Sequence, residues 1–287
     1  MNPAIGLRRL TEADLQFADA LRAQAGWNQT PADWQRFLKM NREGCFLAEW
    51  NGIPAGTATT TTYGTDVAWI GMVLVDEAYR QRGIGRALLE ECIDHLQSRG
   101  VRCIKLDATP LGKPVYEALG FQTEWTLARW ELATAILPAA KSNPDIRDWA
   151  TDDAVRAQEL DRVAFGTSRT ELLVELARDS RDALVTEAGP RGLTGYGLMR
   201  AGSQASYLGP IAAESPEAGK ALVDALIARC GAEKIYWDIP DSNDAALDWA
   251  GKYGFARQRT LTRMFLGENV AVGNPRLQYA LAGPEVG

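Results

Sequence analysis

Three arginines and two glycines fall within one short stretch, Arg80-Gln81-Arg82-Gly83-Ile84-Gly85-Arg86. The stretch follows an apolar run, Met72-Val73-Leu74-Val75, and leads into Ala87-Leu88, where a helical pattern begins. A helix that starts at such glycines leaves its first amide N–H groups without intrahelical partners, and its peptide dipoles make that end positive. Glycine lets an anion come close to the backbone, and Arg80, Arg82 and Arg86 add charge at the same place. The chemistry implied is the cradling of an anion, and a pyrophosphate suits it. Two other phosphate-binding patterns do not fit. GxxxxGK[ST] occurs nowhere, and Leu88 stands where a dinucleotide-binding turn needs glycine or alanine.

A strand, a loop and a helix must carry these residues. Val67–Val75 reads as a strongly apolar strand and 76–82 as the loop. The helix runs from about Gly83 to Ser98, with Ile84, Ala87, Leu88, Cys92 and Leu96 on one face and Gly100 ending it. Upstream, 12–25 and 31–42 read as helices. Cys45–Trp50 and Ala55–Tyr63 read as strands about the turn Asn51-Gly52. Downstream come a strand at Val101–Ala108, a short helix at Lys113–Leu119 and a last strand at Gln122–Leu132. Such a unit is mixed α/β, or α+β: a central, mostly antiparallel sheet flanked by helices, with one strand–helix–strand crossover.

The unit occurs twice. Leu119-Gly120-Phe121 matches Tyr253-Gly254-Phe255, and Thr126, Leu127, Arg129 and Leu132 match Thr260, Leu261, Arg263 and Leu266 at the same shift of 134. Further back, Ile104 and Asp107 match Ile235 and Asp238, and Gly85-Arg86-Ala87-Leu88 matches Gly219-Lys220-Ala221-Leu222. Trp69-Ile70-Gly71 matches Tyr207-Leu208-Gly209. The order never changes, while the offsets drift as loop insertions make them drift. Two tandem domains are therefore expected at 1–137 and 145–287, joined by a proline-bearing linker at 138–144.

Composition narrows the classes. A chain of 287 residues suits two domains, and 46% apolar with 24% charged residues excludes a disordered chain. A formal net charge of −6 speaks against a nucleic-acid partner. No apolar run approaches the roughly 20 residues that span a bilayer, so no membrane association is expected. Met1 to Arg9 hold no apolar signal-peptide core. Cys45, Cys92, Cys103 and Cys230 are far apart, which gives neither a zinc pattern nor a disulfide framework and fits a reducing cytoplasm. One histidine, His95, leaves no material for a His-based triad or a multi-histidine metal site, and no metal is expected.

The string Arg80-x-x-Gly83-x-Gly85 between that strand and that helix, with Tyr116-Glu-Ala-Leu-Gly120-Phe121 some thirty residues on, resembles the acetyl-CoA signature of the GNAT (general N-acetyltransferase) superfamily. The resemblance covers the first copy. It implies a splayed pair of parallel strands, here Val67–Val75 and Val101–Ala108. It implies a pantetheine arm along Val73, Leu74 and Val75, and a pyrophosphate on the loop and helix start from Arg80 through Gln81, Arg82, Gly83, Ile84 and Gly85 to Arg86. The acceptor amine then enters from the other side of the splay, a backbone N–H near Val73 polarises the thioester carbonyl, and Tyr116 takes the family's general-acid position. The family's cofactor-holding asparagine is missing after the strand that ends at Ala108, and Thr109 is a substitute contact. For a base, Asp66, Asp107, Glu49 and Tyr63 are open alternatives.

The second copy lacks these parts. Glu214 and Glu217 flank the equivalent of the cradle, and Pro210, aligned with Met72, removes an amide from the strand. Ala250 replaces the tyrosine. One working site is expected, in the first copy, with the second non-catalytic. The expectation is an acetyl-CoA-dependent N-acetyltransferase that acts on a primary amine of a small molecule by direct attack, as a monomer or homodimer. The alternative is a non-catalytic acyl-CoA-binding sensor or scaffold.

Overall fold

Local signals place the elements much as the pattern predicts. The computed structural model describes residues 5–134, 143, 145–189 and 192–287. The first repeat contains β1 (Ile5–Arg9), α1 (Leu15–Gln24), α2 (Pro31–Asn41), β2 (Cys45–Trp50), β3 (Ile53–Tyr63), β4 (Val67–Val75), α3 (Ile84–Ser98), β5 (Cys103–Ala108), α4 (Lys113–Ala118) and β6 (Gln122–Leu132). The second contains β7 (Ile146–Asp148), α5 (Asp153–Arg156), α6 (Gln158–Phe165), α7 (Thr170–Asp179), β8 (Ser180–Glu187), β9 (Leu193–Arg200), β10 (Ser206–Ala213), α8 (Pro216–Cys230), β11 (Ile235–Pro240), α9 (Asp244–Lys252), β12 (Ala256–Gly267) and β13 (Gln278–Ala280). Thr30 and Asp33 form a capping box before Pro31 at the start of α2. The predicted strand at Val101 begins only at Cys103, because the Val101 amide closes back on the Leu96 carbonyl as α3 ends. The edge strand β1 was not predicted; its side chains are largely exposed, so it carries little apolar alternation. Apart from Asn143, the predicted linker at 138–144 lies outside the described residues. Among the described residues, no helix is long and apolar enough to cross a membrane.

The two repeats do not build two separate sheets. Among the described residues, thirteen strands form one sheet in the order β1-β2-β3-β4-β5-β12-β6-β11-β10-β9-β8-β7, with β13 added on β10. One strand of each repeat has changed sides. β12, from the second repeat, pairs with β5 of the first, and β6, from the first, pairs with β11 of the second. The two exchanged strands also pair antiparallel with each other, with Leu127 opposite Leu261. These are equivalent residues of the repeats, so the exchange has a pseudo-twofold axis at this pair. Both leucines are fully buried and pack with Leu281.

Ion pairs repeat the exchange. Arg129 on β6 donates two hydrogen bonds of 2.7 Å to Asp238 on β11. Arg263 on β12 donates two of 2.9 Å to Asp107 on β5. All four side chains are buried. Each arginine thus binds the carboxylate of the other repeat in the fork geometry that suits a buried pair. Helix α3 covers one face of the first half of the sheet and α8 the corresponding face of the second. On the opposite face one core joins the repeats: Trp34, Phe37, Tyr63 and Trp69 pack with Phe165, Leu172, Leu176 and Val286.

Candidate active site

Strands β4 and β5 run parallel and pair only through Val67–Trp69 and Cys103–Lys105. Beyond Trp69 they diverge. At the divergence β4 carries a bulge: Thr57 lies opposite Leu74 and Thr59 opposite Gly71, so β4 has one residue more than β3. Met72 takes a φ of +51°, rare for a side-chain-bearing residue and held in place by its surroundings. Thr57 Oγ1 donates 3.0 Å to the Met72 carbonyl. That carbonyl points toward β3, and in a planar trans peptide the N–H of the next residue points the opposite way. The Val73 amide therefore points away from Thr57.

Val73 and Val75 pack on the margin of the core formed by Ile84, Leu88, Ile104 and Leu106, and Tyr116 on α4 packs on the same core. Leu74 faces the other way, into the core shared by the repeats. The Tyr116 ring lies edge-on to Phe121 at 6.1 Å. Among the described residues its hydroxyl has no hydrogen-bond partner, and burial pushes its pKa up to about 12. Thr109, the substitute contact, accepts on its Oγ1 from Gly112 N before α4.

The loop behaves as an anion cradle should. Gln81 and Gly83 both have positive φ, +61° and +83°. Gly83 is the N-cap of α3 and offers the helix no side-chain cap. Among the described residues, none of the amides from Gln81 to Arg86 has a backbone or side-chain acceptor. The three arginines lie around this bare end but are held by neighbours: Arg80 beside Glu77 at 3.2 Å, Arg86 on Glu90 at 2.8 Å, and Arg82 over Trp50 at 5.0 Å. All three are exposed.

The second repeat has the same splay with other contents. Strands β10 and β11 pair through Ser206–Leu208 and Ile235–Trp237, then diverge. Into the gap comes β13, which pairs with Ile211 and Ala212, the equivalents of Val73 and Leu74. Trp237 Nε1 holds the Tyr279 carbonyl at 2.8 Å, and Asn243 Nδ2 holds the Gln278 carbonyl at 3.0 Å. Tyr279 lies over Gly219 and stacks on Trp249 with centroids 5.4 Å apart. The start of α8 is capped, since Ser215 Oγ accepts from Ala218 N. In the second repeat, protein fills the strand groove and a side chain satisfies the helix start.

The four base candidates are all engaged. Asp107 is locked on Arg263, Asp66 lies 3.4 Å from Arg102, Glu49 is 2.8 Å from Arg8, and the Tyr63 hydroxyl donates 2.6 Å to the Val286 carbonyl. Sequence reasoning missed the last segment of the chain, which crosses the opposite face of β4. The Pro284 carbonyl accepts from Trp69 Nε1 at 2.9 Å. Glu285 packs on Gly71 so tightly that a Cβ there would stand 2.6 Å from the Glu285 carbonyl oxygen.

Two protein-family models match the chain: residues 14–121 fit the acetyltransferase (GNAT) family and residues 157–280 an acetyltransferase (GNAT) domain. An N-acetyltransferase of Bacillus subtilis (strain 168), YitH, described as uncharacterized, is 27% identical over 219 residues, or 76% of each chain. A holothin acyltransferase of Pseudoalteromonas is 25% identical over 268 residues, covering 91% of this chain and 87% of that protein. The crystal structure of a putative acetyltransferase from Pyrococcus horikoshii superposes with a TM-score of 0.85 at 24% identity, over 99% of this chain and 96% of that one.

Proposed function

Because this chain belongs to the GNAT superfamily as a tandem member, and so to the acyl-CoA-dependent N-acyltransferases, we propose that its first repeat transfers an acetyl group to a primary amine of a small molecule. One observation carries the reading: the bare amides of Gln81–Arg86 stand beside a splay whose walls are Val73, Val75 and Tyr116. When bound, acetyl-CoA supplies a thioester carbonyl open to attack. The residues present fit it: amides and arginines for the diphosphate, and an unpaired edge of β4 for the pantetheine amides.

The chain's own groups then divide the work. The Val73 amide donates to the carbonyl oxygen as it gains charge. Tyr116, protonated at neutral pH, donates its hydroxyl to the departing sulfur. The amine nitrogen forms a bond to the carbonyl carbon, the carbon–sulfur bond breaks, and the amide and CoA thiol leave. In this reading residues 1–137 hold the acyl donor and the proton donor, and the second repeat completes the fold around them.

Calorimetry with acetyl-CoA should give one site per chain. Two sites would contradict the reading of β13 as a strand that takes the second groove. Arg82→Ala should weaken acetyl-CoA binding about tenfold, or roughly 1.4 kcal/mol, more steeply at low salt. An unchanged dissociation constant would remove Arg82 from the diphosphate site. The transferase itself is tested by CoA thiol release in the presence of a broad amine panel. Tight binding with no release from any amine would favour the sensor.

A further inference from the structure

The segment that follows β13 runs between the repeats, held by its main chain. Tyr207 Oη donates to the Leu281 carbonyl at 3.2 Å, Arg200 Nη2 to Ala282, Trp69 Nε1 to Pro284 at 2.9 Å, Tyr63 Oη to Val286 at 2.6 Å and Arg169 Nη1 to Gly287 at 2.5 Å. Five donors from both repeats fix a strap whose main-chain path does not depend on its side chains. The strap crosses β4 at Gly71, one residue before the bulge that turns the Val73 amide away from Thr57. It lies on the face opposite α3, the side from which the proposed reading brings in the acceptor amine.

One side chain of this strap carries chemistry. Glu285 is 6% exposed, and its Oε2 accepts a hydrogen bond of 2.8 Å from Gln29 Nε2. It lines a cavity of about 20 Å³ together with Asn28, Gln29, Asp33, Arg200 and Tyr207, which has room for one water molecule. Gln29 Oε1 is buried there without a partner, so a hydrogen-bond donor is called for. The neighbourhood is mixed in charge. Asp33 on α2 repels the carboxylate, while Arg200 on β9 attracts it. Arg129 on β6, Arg259 on β12, Tyr207 and Tyr63 also feel its charge. Burial outweighs these attractions and raises its pKa above the ordinary glutamate value. An amine acceptor arrives as an ammonium ion and must lose a proton before it attacks. No carboxylate lies on β4 from Ala68 to Met72, and Asp66, Asp107 and Glu49 are each paired with an arginine.

We propose that Glu285 is the general base of the first repeat's site, reaching the acceptor from the strap directly or through the cavity's water. The inference rests on the acyltransferase reading above. The carboxylate takes one proton from the ammonium nitrogen, the freed lone pair forms the bond to the carbonyl carbon, the carbon–sulfur bond breaks, and the nitrogen's second surplus proton passes by way of Tyr116 to the sulfur, which leaves as CoA thiol. Glu285 then returns the proton to solvent. Trp69 and Tyr63 act as positioning residues, because they hold the strap on either side of it.

The test compares two amine probes at one pH near 9. Ethylamine is almost wholly protonated there and needs a base, whereas hydrazine is largely neutral and does not. In Glu285→Gln the ethylamine-dependent release of CoA thiol should fall at least about thirtyfold, while the hydrazine-dependent rate stays within about threefold of wild type. A merely structural role would depress both alike, and equal losses would overturn the proposal. Acetyl-CoA affinity, read by calorimetry, should not change in this variant. Infrared titration adds a readout independent of turnover: a protonated carboxyl band that persists above the usual glutamate range and vanishes in Glu285→Gln. Absence of that band from the wild type would also count against the proposal. Should Glu285→Gln fail to fold, Gln29→Leu removes only the hydrogen bond to the carboxylate and should move the acidic limb of the ethylamine profile to higher pH. An unmoved limb would overturn the proposal. A wild-type chain that binds acetyl-CoA yet releases no thiol with either probe would overturn the parent reading, and this one with it.

Discussion

Replacing Arg263 with alanine lowers the unfolding free energy by about 3–5 kcal/mol. The size follows from what remains. Asp107 is fully enclosed, and Arg263 supplies both of its hydrogen bonds. Without the guanidinium, the carboxylate stays buried with no countercharge or takes up a proton, and both outcomes weaken the folded state. Arg263 also lies over the rings of Trp69 and Trp125, at 4.5 and 4.2 Å, so its removal loosens packing on both sides of β12. The double replacement Asp107→Leu with Arg263→Met should recover most of the loss, since an apolar pair leaves no orphaned charge. Urea unfolding of the three variants gives the answer. A single-variant loss below about 1 kcal/mol would mean that the strand ladder alone holds the exchanged strand.

Tyr116→Phe should lower kcat by about a hundredfold or more and leave acetyl-CoA binding unchanged. The hydroxyl has no other duty: among the described residues it makes no hydrogen bond, while the ring, which the variant keeps, packs on Phe121. With its pKa pushed up to about 12, Tyr116 remains protonated through the whole range of an ordinary assay. No alkaline decline from this group should appear below about pH 11. The raised pKa also fixes the timing of the proton. A thiol titrates near 8.5, well below this, so outright transfer even to the freed thiolate is uphill. The hydroxyl serves by donating as sulfur departs. If kcat falls less than about threefold in a rapid-quench measurement of the chemical step, Tyr116 is a packing residue and nothing more.

Local chemistry made much of this legible in the residues. Gly83 and Gly85 mark the start of α3, Asn51 and Gly52 close the first hairpin, and the apolar run before the arginines is β4. Each signal acts within a few residues. The strand exchange could not be read in that way. Leu127 and Leu261 are identical, as are Arg129 and Arg263, and each arginine finds an equivalent aspartate in either repeat. Pairing within a repeat and pairing across repeats meet the same pattern equally well, so the pattern cannot choose. The strap was hidden for a related reason. Its place depends on main-chain carbonyls, which every sequence has, and on Gly71, more than two hundred residues away. Asp107 drew attention as a carboxylate at a strand end, but only the fold reveals the arginine that occupies it.

The crossed strands bear on how such a chain can change over generations. A half whose strand groove has been taken up by its own backbone would, as a self-contained domain, be open to trimming. Here it is not. Strand β12 lies against β5, so deleting the second half would strip a strand from the working half and bare the edge beside the reaction centre. The second half lends the first a strand and the strap that bears Glu285, so the two halves form one indivisible piece.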